Sequence, residues 1–133
     1  MTESTALLTL ADEQYVLLTT TRRTGATVPT PVWVARDGDA LVVTTGAESG
    51  KVKRMRHTPR VTVQACDRAG TPHPGAAVVA ARATLHDDAE SRERLDAALS
   101  EKYGVQYAAI RAMGKLRGRR ANESVVVRLS AVE

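Results

Sequence analysis

The apolar residues of this chain fall in short blocks separated by turn residues, and six of the blocks, rich in β-branched side chains, predict strands. The first is Tyr15 to Thr21 (YVLLTTT), ended by the charged turn Arg22, Arg23, Thr24, Gly25. The second, Val28 to Arg36 (VPTPVWVAR), passes through a hairpin turn at Asp37, Gly38 and Asp39 into a third at Leu41 to Thr45. Pro29 and Pro31 deprive the second strand of two ladder donors, so its first half must be an edge, a bulge or a wall turned toward something other than a strand. The fourth strand is predicted at Arg60 to Cys66, followed by the turn-rich loop Asp67 to Pro74. A long fifth strand is predicted at Ala76 to His86, where the alanines also allow a helix, and a sixth at Ser124 to Ala131.

The remaining apolar residues recur at helical spacing. Ala6 to Asp12 reads as a short helix or a loose N-terminal arm. After Gly46 breaks the third strand, Ser49 is placed to cap a short basic helix that points Val52 and Met55 inward and stops at Thr58 and Pro59. Asp87 or Asp88 can cap a helix running through Tyr103, with Leu95 and Leu99 on one face and Gly104 ending it. Tyr107 to Leu116 is a further helical stretch, with Ile110, Met113 and Leu116 as its apolar stripe and Gly118 as its end. Six strands with one helix after the third and a helical pair before the sixth predict a mainly β protein with helices, a small antiparallel barrel. Its strand edges and apolar content suggest a partner subunit.

At 133 residues the chain reads as a single domain, 1–133, able to bury a core without metals or disulfides. The 43% hydrophobic and 26% charged composition is that of a globular protein, and no apolar run approaches a membrane span. A polar start at Met1 to Thr5, a short apolar run and then Asp12 and Glu13 do not make a signal peptide, so a cytoplasmic protein is expected. Cys66, the only cysteine, ends an apolar strand and reads as a buried structural thiol. His57, His73 and His86 lack metal-ligand spacing, and no metal site is expected.

The net charge of +4 is uneven, with five basic residues and no acid in Lys51 to Arg60 and five more basic residues in Arg111 to Arg120. Local basicity points to a polyanionic ligand. Nucleic acid is disfavoured, because Tyr15, Trp33, Tyr103 and Tyr107 all lie outside the basic segments where bases could stack. The helix after Gly46 has the elements of an anion site: free N–H groups in its first turn, the positive end of its dipole, the Ser49 hydroxyl and the Lys51 charge. The same pattern describes an ordinary capped helix with a solvated basic face. Trp33 likewise fits a core or interface aromatic, and Thr44 and Thr45 fit plain β-formers. No Ser/His/Asp, Cys/His or paired-carboxylate constellation is visible.

The hairpin containing PVW, the segment TTGAESGKVKR and the strand TPRVTV resemble the split β-barrel flavin and deazaflavin proteins related to pyridoxamine 5′-phosphate oxidase. Tyr15 to His86 is most similar to the branch that uses the deazaflavin coenzyme F420. The resemblance implies a six-stranded split barrel in which Ser49 and Lys51 hold the cofactor phosphate. Gly50 stands where the flavin enzymes usually have an arginine, and Lys53 and Arg54 would add charge one turn outward, which suits the longer anion of coenzyme F420 better than that of flavin mononucleotide (FMN). Thr44 and Thr45 would lie along the cofactor's linker, and the backbone of Pro31, Val32 and Trp33 would face its ring.

The implied activity is hydride transfer between the deazaflavin and a small conjugated substrate, in a homodimer with the cofactor at the subunit interface. Arg111 to Arg120 would either reach the coenzyme tail from the neighbouring subunit or form a flexible basic loop. An FMN oxidoreductase and a non-catalytic carrier of the coenzyme or a tetrapyrrole are the alternatives of the same fold. Glu133 follows soon after the last strand, so pyridoxamine phosphate oxidation itself is not expected.

Overall fold

The structure, a computed structural model, describes residues 3–47, 49–116 and 124–132. Seven strands form one antiparallel sheet: β1 (Tyr15–Thr21), β2 (Thr27–Val32), β3 (Ala35–Asp37), β4 (Ala40–Gly46), β5 (Arg60–Cys66), β6 (Val79–His86) and β7 (Ser124–Ala131). Their order is β2-β1-β5-β6-β7-β4-β3. The helices are α1 (Glu3–Thr9), continued by a 3-10 turn at Leu10–Asp12, α2 (Gly50–His57), α3 (Ala89–Tyr103) and α4 (Val105–Leu116).

One strand differs from the expectation in a way that shapes the molecule. The second strand, predicted as one piece from Val28 to Arg36, is two strands, β2 and β3, so the sheet has seven rather than six. β2 pairs with β1 and β3 pairs with β4, which are at opposite ends of the sheet. Trp33 and Val34 carry the chain between those ends, and Val34 is completely buried. The sheet thus curls until its two edges are joined covalently at a seam that carries no ladder among the described residues. Pro29 and Pro31 sit in β2, at a sheet edge, where missing donors cost least.

The fifth strand also starts later than predicted. His73 accepts a bond from Ala76 N in a turn that includes Gly75 at φ +76°, so the ladder with β5 begins only at Val79. By contrast β1, β5 and β7 have the predicted bounds.

Two cores follow from the alternation of side chains along the strands. Inward-facing Val16, Leu18, Leu41, Val43, Val61, Val63, Val127 and Leu129 fill the barrel, with Leu7 of α1 and Met55 of α2 packed into the same cluster. The N-terminal segment is therefore a packed helix, not a loose arm. Outside, α3 lies over β3, β4 and β7, where Leu95, Leu99, Tyr103 and Tyr107 meet Ala35, Val42 and Val126. β4 and β7 are in this way buried on both faces, whereas β1 and β5 keep their outer side chains partly exposed.

α3 starts at Asp88, whose carboxylate accepts from Ser91 N at 3.0 Å, and it ends at Gly104 with φ +53°. α4 docks through buried Tyr107. Two residues of its predicted apolar stripe, Ile110 and Met113, are 53% and 50% exposed, and Val105 is 84% exposed. Gly118 and 117–120 of the second basic segment lie outside the described residues. Among the described residues no helix is long and apolar enough to cross a membrane.

Candidate functional site

α2 covers one end of the barrel because only two of its residues are apolar. Val52 and Met55, three apart, are buried, so the charged side chains are forced to its flanks and outer surface. Ser49 is its N-cap, as predicted: its Oγ accepts from Val52 N at 3.3 Å. Thr45 Oγ1, at the end of β4, lies 3.2 Å from the same oxygen. The cap is thus fixed from both strand and helix.

Lys51 and Arg54 share one flank of α2, and Lys51 is half-buried. Burial first, and then the neighbouring Arg54 charge, lower the Lys51 pKa from the ordinary lysine value. No carboxylate pairs with either cation among the described residues. Two positive charges beside the N-terminal turn of a helix are an arrangement that an anion would relieve.

The structure changes the picture of Gly50 and Arg54. The resemblance suggested that Gly50 takes a charge away and that Arg54 restores one a turn further out. Instead Arg54 folds back over Gly50: a Cβ on residue 50 would lie 2.6 Å from Arg54 Nη1. Arg54 Nε donates to Thr20 Oγ1 at 2.6 Å, and Thr20 is completely buried on β1. The guanidinium therefore occupies the volume of the missing side chain.

The other candidates are distributed more widely. Thr44 and Thr45 are adjacent on a strand and point to opposite faces, so only Thr45 joins Ser49, and Thr44 is exposed on the outer side. Lys53 is exposed, away from the flank shared by Lys51 and Arg54. Pro31 and Val32 are in the edge strand β2, where Pro31 pairs with Leu17 on β1. Leu17 is three residues from Thr20, so about 10 Å of strand separates the cationic end from this wall.

Trp33 marks the seam. Its ring stacks on Tyr103 of α3 with centroids 4.1 Å apart and planes 4° from parallel. Tyr103 Oη accepts from Val34 N at 3.1 Å and lies 2.8 Å from the Gln14 carbonyl, to which it donates. Lys102 Nζ donates to the Val34 and Glu13 carbonyls, both at 2.5 Å. The last turn of α3 thus clamps the point where the chain crosses between the sheet's ends. The sequence reading did not single out Thr20, Lys102 or Tyr103. The signal available was weak: a Thr at an inward position of β1, and a Lys-Tyr pair just before the helix-ending Gly104.

Cys66 is free and buried, and burial, with Asp67 and Glu13, raises its pKa, as befits the structural thiol that was expected.

Residues 3–133 match the sequence model of the family described as pyridoxamine 5′-phosphate oxidase. Among solved structures the chain is similar to a conserved hypothetical protein of Mycobacterium tuberculosis, at 21% identity over 100% of this chain and 82% of that one, with a TM-score of 0.72. It is similar to an F420 reductase at 17% identity over 94% and 92% of the two chains, TM-score 0.59. A heme storage protein of Vibrio cholerae, at 11% identity over 92% and 84%, gives a TM-score of 0.64. At such identities the likeness concerns the fold. Among curated proteins nothing matches. The family match over nearly the whole length and the shared curled sheet lead to one conclusion: the chain belongs to the pyridoxamine 5′-phosphate oxidase family and has its split β-barrel fold.

Proposed function

We propose that this protein binds the deazaflavin coenzyme F420 and works as a cytoplasmic F420H2-dependent reductase of small conjugated molecules. The observation that carries the reading is the convergence of Ser49, Lys51 and Arg54 at the N-terminus of α2, in a chain of this family.

These residues fit a phosphate ester. Lys51 brings a partly desolvated charge, Arg54 a guanidinium, and the first turn of α2 its free N–H groups. With Thr45 as donor, Ser49 Oγ accepts twice and keeps its own proton for the ligand. The prolines of β2 leave an edge without a pairing strand about 10 Å away, suited to a flat ring at the far end of an elongated anion. When bound, the coenzyme supplies a hydride. The chain's residues contribute binding, orientation and exclusion of water. The exposed Val105, Ile110 and Met113 of α4 suit burial in a homodimer.

The test is a titration followed through the single tryptophan, Trp33, with coenzyme F420 and FMN in parallel, on wild type and Lys51→Ala. Micromolar binding of F420, weaker binding of FMN, and a loss of roughly 1.5–3 kcal/mol in Lys51→Ala are expected. Preference for FMN would make the protein a flavin oxidoreductase of the same fold. Binding of neither cofactor would end the proposal.

A second reading is favoured by the likeness to a heme storage protein. In it the barrel carries a tetrapyrrole or the coenzyme without turnover. Tight heme binding in an absorbance titration, with no reduction of enone or quinone acceptors by F420H2, would select it.

A further inference from the structure

Arg54, a basic side chain on a short surface helix, is anchored to the interior of the fold. Its Nε is used internally, bonded at 2.6 Å to Thr20 Oγ1, which donates at 3.5 Å to the Val28 carbonyl across the β1–β2 ladder. Among the described residues Thr20 is a buried polar side chain, with none of its surface exposed. The guanidinium fits beside residue 50 because that residue has no side chain, since a Cβ would come within 2.6 Å of Nη1. With Nε occupied, the Nη1 and Nη2 donors are the ones left for a ligand, and Lys51 sits on the same flank.

We infer that Thr20 is a positioning residue of the anion site, fixing Arg54 in the space vacated at Gly50 so that Arg54 and Lys51 act together on one phosphate ester. The inference rests on the phosphate reading given above and adds to it the source of its second cation. A guanidinium pinned at Nε loses little further rotamer freedom on binding, and this is where preorganisation gains affinity. The hydroxyl of Thr20 never touches the ligand.

The experiment approaches the contact from both sides. Thr20→Val removes the acceptor and keeps the shape, Thr20→Ser restores it, and Gly50→Ala displaces the guanidinium without touching Thr20. Alanine in a helix is favourable by propensity, so Gly50→Ala does not depend on a destabilised fold. Each variant, with wild type and Lys51→Ala, is titrated with coenzyme F420 and with FMN. In the ligand-free protein, the Arg54 Nε–H resonance is followed by nitrogen-15 NMR and assigned with Arg54→Lys.

The expected result is a slowly exchanging Nε–H in wild type and Thr20→Ser that merges with the solvent-exposed arginines in Thr20→Val. Affinity falls about tenfold in Thr20→Val and in Gly50→Ala, the order of one lost charged hydrogen bond, and stays within about twofold in Thr20→Ser. Thr20→Val adds nothing to Arg54→Ala when the two are combined. If Lys51→Ala loses binding while Thr20→Val and Gly50→Ala bind like wild type, the positioning role is overturned and the phosphate reading stands. If wild type itself binds neither ligand, the phosphate reading fails and takes this inference with it, whatever the NMR shows.

Discussion

The two ends of the sheet's helical cover are built on opposite electrostatic principles. Against α3, carboxylates are met by cations in place: Asp37 takes Arg94 Nε at 2.9 Å and Arg128 Nη1 at 2.8 Å, and Asp96 takes the Tyr107 hydroxyl and lies 3.6 Å from Arg111. Burial would raise the Asp37 pKa, but the bonds from Arg128 and Arg94 outweigh it and hold the carboxyl below the usual range. At α2, Lys51 and Arg54 crowd each other with no carboxylate partner among the described residues. Charges that are neutralised in place serve the fold. Charges left to repel one another reserve a place for something else.

If that division is right, mutations on the two sides should separate stability from binding. The largest effect is expected from Leu99→Ala, which empties a fully packed position beneath α3. A loss of about 2–5 kcal/mol in denaturant unfolding is expected, with cofactor affinity of the remaining folded protein unchanged. A stability loss under 1 kcal/mol would mean that α3 is only loosely attached.

The next effect is a pH dependence. Lys51 binds an anion only while protonated, and its pKa is lowered in the free protein, so affinity should be full below that pKa and fall as pH rises through it. The drop should be on the order of 1.5–3 kcal/mol, measured by titration across the alkaline range, and should vanish in Lys51→Arg. An affinity that is flat with pH in wild type would place Lys51 outside the site.

Tyr103→Phe sharpens the comparison at the seam. The hydroxyl bonded to Val34 N and the Gln14 carbonyl is lost, and a buried N–H is left without it, for a cost of roughly 1–3 kcal/mol. A changed Trp33 emission should accompany it, because the stacked partner is no longer held. The smallest effect is expected from Ser49→Ala, about 1 kcal/mol of stability from the lost cap, read as a shift in the thermal midpoint. Its cofactor affinity should fall as well; a variant that is less stable yet binds normally would make Ser49 a cap only.

The sequence was a good guide wherever structure is set locally. The bounds of β1, β5 and β7, the caps Ser49 and Asp88 and the stop at Gly104 all follow from periodicity and capping chemistry within a few residues. The break at Trp33–Val34 was not legible, because it depends on β2 and β3 having different neighbours far away in sequence, and nothing local marks the change. Ile110 and Met113 have the right period for a helix face, but period cannot say whether that face is covered. At α2 the cap at Ser49 and the inward pair Val52 and Met55 were legible from spacing and capping chemistry. The opposite facing of Thr44 and Thr45 follows from strand alternation alone. The return of Arg54 over Gly50 was out of reach, since an absent side chain leaves no trace of what fills its space.

The seam also bears on how the chain folds. β1 to β4 are consecutive, and the tight turn at Gly38 and the short β1–β2 connection let their pairings form early from near neighbours. The ring is completed on the other side by β5, β6 and β7, and β7 alone pairs with both β4 and β6. During synthesis β1 can take up β5 once residue 66 has emerged, but β4 keeps one edge unpaired until β7 has left the ribosome at residue 131. Closure is then a long-range event, slow by its contact order, and the vulnerable interval of this protein is the time taken to translate the second half of its chain.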